Sequence, residues 1–104
     1  MTQLLRAAAV ILLSASIAGP AFAQAPGDLY KSKCAMCHGA DGHGATAIGQ
    51  KMGARSFASP VVAKESNQQL FDITKDGKNK MPPYKGKLTD DQIKDLVKYI
   101  RSLK

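Results

Sequence analysis

The sequence predicts an all-α fold of short helices joined by irregular segments. Two Ser/Thr-x-x-Gln capping boxes, Ser66 with Gln69 and Thr89 with Gln92, each precede apolar residues at helical spacing. Glycine-rich and proline-rich stretches separate these segments from each other and from an earlier helical one. Beyond residue 23 the only β-branched pair with strand character is Val61-Val62, and Pro60 precedes it. No alternation of strand and helix signals and no internal repeat is visible.

Residues 1–23 read as a secretory leader that precedes the fold. Arg6 places positive charge near the start, residues 7–18 form an uncharged apolar run, and Gly19-Pro20 breaks it. Ala21-Phe22-Ala23 is then a small-x-small cleavage site before Gln24. The run falls short of the ~20 residues that cross a bilayer, and no cysteine stands near the cut to carry a lipid. An uncleaved membrane anchor is the alternative. Cleavage leaves residues 24–104 as one small domain without tryptophan. A domain this size has a marginal apolar core of its own, so a buried prosthetic group would complete it.

A first helix is expected over residues 27–37, with Leu29, Tyr30 and Lys33-Cys34 on its inner face. Residues 39–53 hold five glycines and are expected to be loop. Gly42-His43-Gly44 faintly resembles a dinucleotide loop, but no strand precedes it and no βαβ unit fits. The next helix starts behind the Ser66 cap, carries Leu70, Phe71 and Ile73 on its apolar face, and ends at Asp76-Gly77. The last helix is the clearest. Asp90 and Asp91 sit at its positive end, Leu88 and Ile93 can staple across the cap, and Ile93, Leu96, Val97, Ile100 and Leu103 form one stripe.

Cys34-Ala35-Met36-Cys37-His38 holds both cysteines and one of the two histidines. Cys-x-x-Cys-His is the spacing of a c-type haem attachment site. Residues i and i+3 share a helix face. Two thiols placed in this way can each add to a vinyl group of one porphyrin, and the adjacent imidazole can ligate its iron. A thioredoxin-like pair would want a βαβ unit. A closed zinc site would need two further Cys or His ligands, and only His43 remains. A disulfide across two residues would close too small a loop to stabilise much.

The second axial ligand is expected from Met81. It stands in the polar, basic segment Lys78-Asn79-Lys80-Met81-Pro82-Pro83-Tyr84, where two prolines forbid a helix and leave an apolar side chain no helical face to pack on. Met36 lies between the cysteines on the wrong side. Met52 can be a filler of core or surface. Met52, His43 and an open site remain as alternatives.

With Leu29-Tyr30 before the Cys-x-x-Cys-His-Gly run, Asp76-Gly77-Lys78 leading to Met81-Pro82, and Leu96-Val97-Lys98-Tyr99-Ile100 near the end, the chain resembles a small soluble class I cytochrome c. The likeness covers residues 27–104. It implies short helices wrapped around one haem c, covalently held by Cys34 and Cys37, with His38 and Met81 as iron ligands. It also implies that the first and last helices cross, with Tyr30 against Tyr99 and Leu96 beside them. In many members a proline a dozen residues after the ligating histidine offers its carbonyl to the imidazole. Here that region reads Ala47-Ile48-Gly49-Gln50-Lys51, so another carbonyl must serve.

The formal charge is +7, or +6 without Arg6, and two haem propionates would bring it to about +4 at neutral pH. Lys75, Lys78, Lys80, Lys85 and Lys87 bracket Met81. In the family the haem edge is exposed near the methionine loop, so these lysines would meet an acidic docking patch on a larger redox protein or membrane complex; a merely solvated loop is the alternative. No nucleic-acid recognition motif is present. The expected protein is therefore an exported electron carrier of the periplasm, or of the thylakoid lumen in a photosynthetic cell. It is expected to be monomeric, not membrane-spanning once processed, and not an enzyme. Catalysis or gas sensing would need an open iron site, and catalysis a distal acid or base as well.

Overall fold

A computed structural model describes residues 24–103. The expected leader, residues 1–23, lies outside the described residues. Among those described there are six helices: α1 (Pro26–Lys33), α2 (Ala35–His38), α3 (Ala47–Met52), α4 (Pro60–Lys64), α5 (Asn67–Asp76) and α6 (Asp90–Ser102). No strand occurs among the described residues; extended pairing is limited to the isolated bridges Lys78 to Met81 and Lys85 to Leu88. The all-α reading holds.

α5 and α6 start where their capping boxes put them. Ser66 Oγ accepts from Gln69 N at 3.0 Å while Gln69 Oε1 accepts from Ser66 N at 2.7 Å. Thr89 and Gln92 repeat the exchange at 3.1 and 2.8 Å. Each box satisfies two amide donors that the helix start would otherwise leave unpaired. α6 then buries Ile93, Leu96, Val97 and Ile100. Ile93, Leu96 and Ile100 pack with Leu29, Tyr30 and Leu88, so the staple across the cap forms, and Val97 meets Val62 and Leu70. α1 crosses α6 with the Tyr30 and Tyr99 ring centroids 5.1 Å apart and tilted by 45°, as the family resemblance implied.

Three local expectations need correction. The single helix over residues 27–37 is two, because Cys34 turns out of helical geometry at φ −118° while its amide still reaches Tyr30 O at 2.8 Å. Lys33, expected on the inner face, is exposed. Val61-Val62, noted only for its strand character in an all-α chain, lies in a helix: Pro60 is pre-shaped for a first helical turn, and Ser59 Oγ caps the Val62 amide at 3.4 Å.

The third correction concerns the glycine-rich stretch, which contains α3. Its start is capped by Thr46, whose Oγ1 accepts from Gly49 N at 2.9 Å. The same hydroxyl shares its one proton between Met36 O at 2.8 Å and Cys37 O at 3.0 Å. Gly49 is needed for close approach, not for loop flexibility, since a Cβ there would lie 2.0 Å from the Cys37 carbonyl oxygen. α3 thus docks backbone to backbone on the helix that carries the cysteines. Gly49→Ala should cost about 3 kcal/mol by overpacking, lowering Tm by about 10–25 °C for a domain of this size. Thermal melting followed by circular dichroism measures it, and an unchanged Tm would mean that α2 and α3 separate easily.

Candidate haem site

Cys34, His38, Met52 and Met81 border one cleft that is open to solvent. Val62, Leu70, Ile73, Leu96 and Ile100 give it apolar walls, and Arg55, Lys78 and Lys80 reach its lining from the polar side. The core helices therefore contribute their inner residues to a cavity as well as to one another. Cys37 is half-buried and is not on the cavity lining, although it belongs to the same short helix as His38.

His38 ends α2 and is half-buried. Its ring stacks on Phe57, with centroids 4.6 Å apart and planes at 24°. Nδ1 is buried with no partner in hydrogen-bond geometry. Burial pushes the His38 pKa below its ordinary value; the Arg55 backbone carbonyl, close to the ring, opposes this, and the Arg55 charge adds to the lowering. The ring is thus neutral at physiological pH, the state in which imidazole is a metal ligand. His43 is exposed and pairs instead with Asp41, its Nδ1 3.3 Å from Oδ2.

Burial and the neighbouring Cys37 charge push the Cys34 thiol up to about 11. That is opposite to the depressed value of a thioredoxin-type nucleophile. Among the described residues no three His, Cys, Asp or Glu side chains gather as a metal cage. Two free thiols, a neutral imidazole with its Nδ1 buried and a cleft with apolar walls fit a haem group.

The segment bearing Met81 is more structured than an extended loop. α5 ends at Gly77, with φ +77° and its amide on Ile73 O at 2.9 Å. A Cβ at Gly77 would lie 2.7 Å from Met81 O and 3.0 Å from Pro83 N, so only glycine lets the chain fold back so tightly. Residues 78–81 form a β-turn closed by Met81 N donating to Lys78 O at 2.9 Å, with Asn79 at φ +53°. The far end is anchored by Tyr84, whose amide donates to Thr74 O at 3.1 Å and whose hydroxyl donates to Lys33 O at 2.9 Å. That hydroxyl ties the methionine loop directly to the residue before Cys34.

Sequence reasoning missed Thr46, Arg55, Phe57 and Tyr84, because none of them belongs to a spaced motif. Met52, read as a possible filler, is exposed yet also reaches the cleft. Met36 is 69 % exposed. Of the five lysines around Met81, Lys75 is paired with Asp90 at 3.2 Å, while Lys78, Lys80, Lys85 and Lys87 are exposed.

Residues 21–100 match the family model described as "Cytochrome C oxidase, cbb3-type, subunit III". A cytochrome c6 of Leptolyngbya boryana is 31% identical over 81 residues, covering 75% of this chain and 88% of that protein. The cbb3-type cytochrome c oxidase subunit FixP of Rhizobium meliloti is 32% identical over 99 residues, but the chain spans 33% of its length. Among solved structures, the KustC0563 c-type cytochrome superposes with a TM-score of 0.70 at 37% identity, covering 76% of this chain and 96% of that one. The chain belongs to this family of c-type cytochromes. It is a small mono-haem cytochrome, with haem c as its cofactor and electron transfer as its work.

Proposed function

We propose that residues 1–23 are a cleaved export leader and that residues 24–104 form a monomeric carrier shuttling single electrons between larger redox complexes. Its compartment is the periplasm, or a thylakoid lumen in a photosynthetic cell. Cys34 and Cys37 would hold one haem c through thioether bonds, and His38 and Met81 would ligate its iron. Bound there, haem supplies reversible one-electron chemistry at iron. The reading is carried by the convergence of Cys34, a neutral His38 with its Nδ1 buried, and the turn-borne Met81 on one apolar cleft.

Met81 is preferred to Met52 because of where each is mounted. α3, which carries Met52, packs on α2, which carries His38. Met81 comes from the separate loop after α5, so a ligand from it approaches from another wall of the cleft. The apolar walls exclude water and keep the environment nearly constant as charge changes, and the thioether of Met81 favours the reduced state. With both axial positions taken by this chain, no site remains for a substrate. The exposed lysines around Met81 supply a positive surface for an acidic partner.

Denaturing mass spectrometry of protein exported in a haem-attaching host tests the core of this reading. The expected mass is residues 24–104 plus one haem. A bare polypeptide mass, in a host that matures other c-type cytochromes, would overturn covalent attachment; a mass that includes residues 1–23 would overturn cleavage alone.

A further inference from the structure

Arg55 has two attachments that neither haem attachment nor axial ligation uses. Its guanidinium meets the Glu65 carboxylate with both terminal nitrogens, Nη1 to Oε1 and Nη2 to Oε2 at 3.2 Å, a bidentate pairing that fixes geometry as well as charge. Glu65 is itself held, since its backbone carbonyl accepts from Arg101 Nη2. Arg101 stands on α6 and also donates to Val62 O and Asn67 Oδ1, each at 3.1 Å. The ion pair is therefore braced against the most deeply packed helix of the fold.

The backbone of the same residue lies behind His38. The Arg55 carbonyl oxygen is 3.3 Å from where a Cβ on Gly44 would be, and the Gly44 amide donates to His38 O at 2.8 Å. Two residues further on, Phe57 stacks on the His38 ring. Residues 54 and 57 are pinned by Ala54 N to Gly49 O and Phe57 N to Gly42 O, both at 2.8 Å. Buried in this wall is the ring nitrogen Nδ1, which has no hydrogen-bond partner, and a buried N–H left unpaired is costly.

We propose that Glu65, by clamping the Arg55 guanidinium, holds the Arg55 backbone carbonyl in position to accept the Nδ1–H of His38, so that this ion pair sets how strongly the imidazole donates to iron. Arg55 and Glu65 are positioning residues. The proposal rests on His38 being an iron ligand. A carbonyl that accepts from the outer nitrogen of a ligating histidine fixes its tautomer and raises its basicity. A more basic imidazole favours ferric over ferrous iron, so slackening the clamp raises the reduction potential. An ion pair without this coupling would be worth little at a partly exposed position and would leave the potential alone.

The test is the double variant Arg55→Gln/Glu65→Gln, which removes both charges and keeps net charge constant, prepared as haem-loaded protein. Deuterium exchange of the His38 Nδ1–H, followed by NMR in the ferrous state, should be faster than in the unaltered protein, because the proton loses the carbonyl that holds it. The potential should move upward. Arg55→Lys keeps the charge and the carbonyl but loses the fork, so it should change both in the same direction by less, and it serves if the double variant does not fold. Gln69→Ala removes one arm of the α5 capping box, so it should lower Tm while leaving exchange and potential unchanged. Wild-type exchange and potential in the double variant and in Arg55→Lys would overturn the clamp, as would Gln69→Ala reproducing their changes. Strongly shifted His38 ring resonances in the ferric protein report ligation separately; if they are absent, the ligation fails and the clamp with it.

Discussion

Met81→Ala should lower the reduction potential by on the order of 100 mV or more, a fraction of the ~0.8 V over which axial ligands tune haem. It should also abolish the weak red charge-transfer band of Met-ligated ferric haem and let cyanide or carbon monoxide bind. The structure makes the effect specific. Gly77, the turn over residues 78–81 and the Tyr84 hydroxyl on Lys33 O fix the loop independently of its methionine side chain. Deleting the thioether thus leaves the scaffold and removes the ligand. Met52→Ala is the matching control, since Met52 also reaches the cleft; it should leave potential, band and ligand exclusion nearly unchanged. The reverse pattern would make Met52 the ligand. Rapid carbon monoxide binding by the unaltered ferrous protein would mean an open site and would favour catalysis or sensing over carriage.

The two long helices were legible in the sequence because their signals are local. A capping box and an apolar stripe lie within one turn or one face, and Ser66, Gln69, Thr89 and Gln92 do in the structure what the spacing indicates. The attachment motif is local as well. α3 was misread for an equally physical reason. Glycine usually marks a chain reversal, but Gly49 is small because the Cys37 carbonyl occupies the space of its Cβ, a constraint written twelve residues upstream. Val61-Val62 was weighed by β-branching, whereas Pro60 behind Ser59 starts a helix there. Around the site, the Tyr84 hydroxyl bridges 51 residues to Lys33 O, and Arg55 acts through its backbone carbonyl, which no side-chain pattern encodes. What the sequence hides is the set of contacts between segments that hold the proposed ligands still.

Lys78→Glu should slow electron transfer with an acidic partner at low ionic strength by about tenfold, the lower end of the ~10–10³ range by which complementary charge speeds association. Lys78 is exposed, starts the turn that carries Met81 and borders the cleft, so reversing its charge acts where partner and haem would approach. Lys85→Glu should act in the same direction. Lys75 is a useful contrast, because Asp90 already pairs with it at 3.2 Å: Lys75→Gln removes a charge that is locally compensated and should change the rate less than Lys78→Gln. The difference between Lys78→Glu and the unaltered protein should shrink as salt rises and the screening length falls below ~10 Å. Stopped-flow rates against ionic strength measure all of these. Each variant leaves His38, Met81 and the apolar walls untouched, so its reduction potential should stay close to the original, and a rate loss at constant potential is a loss of encounter. Rates indifferent to salt and to both reversals would instead describe the lysines as a solvated rim, with the carrier meeting its partners through some other face.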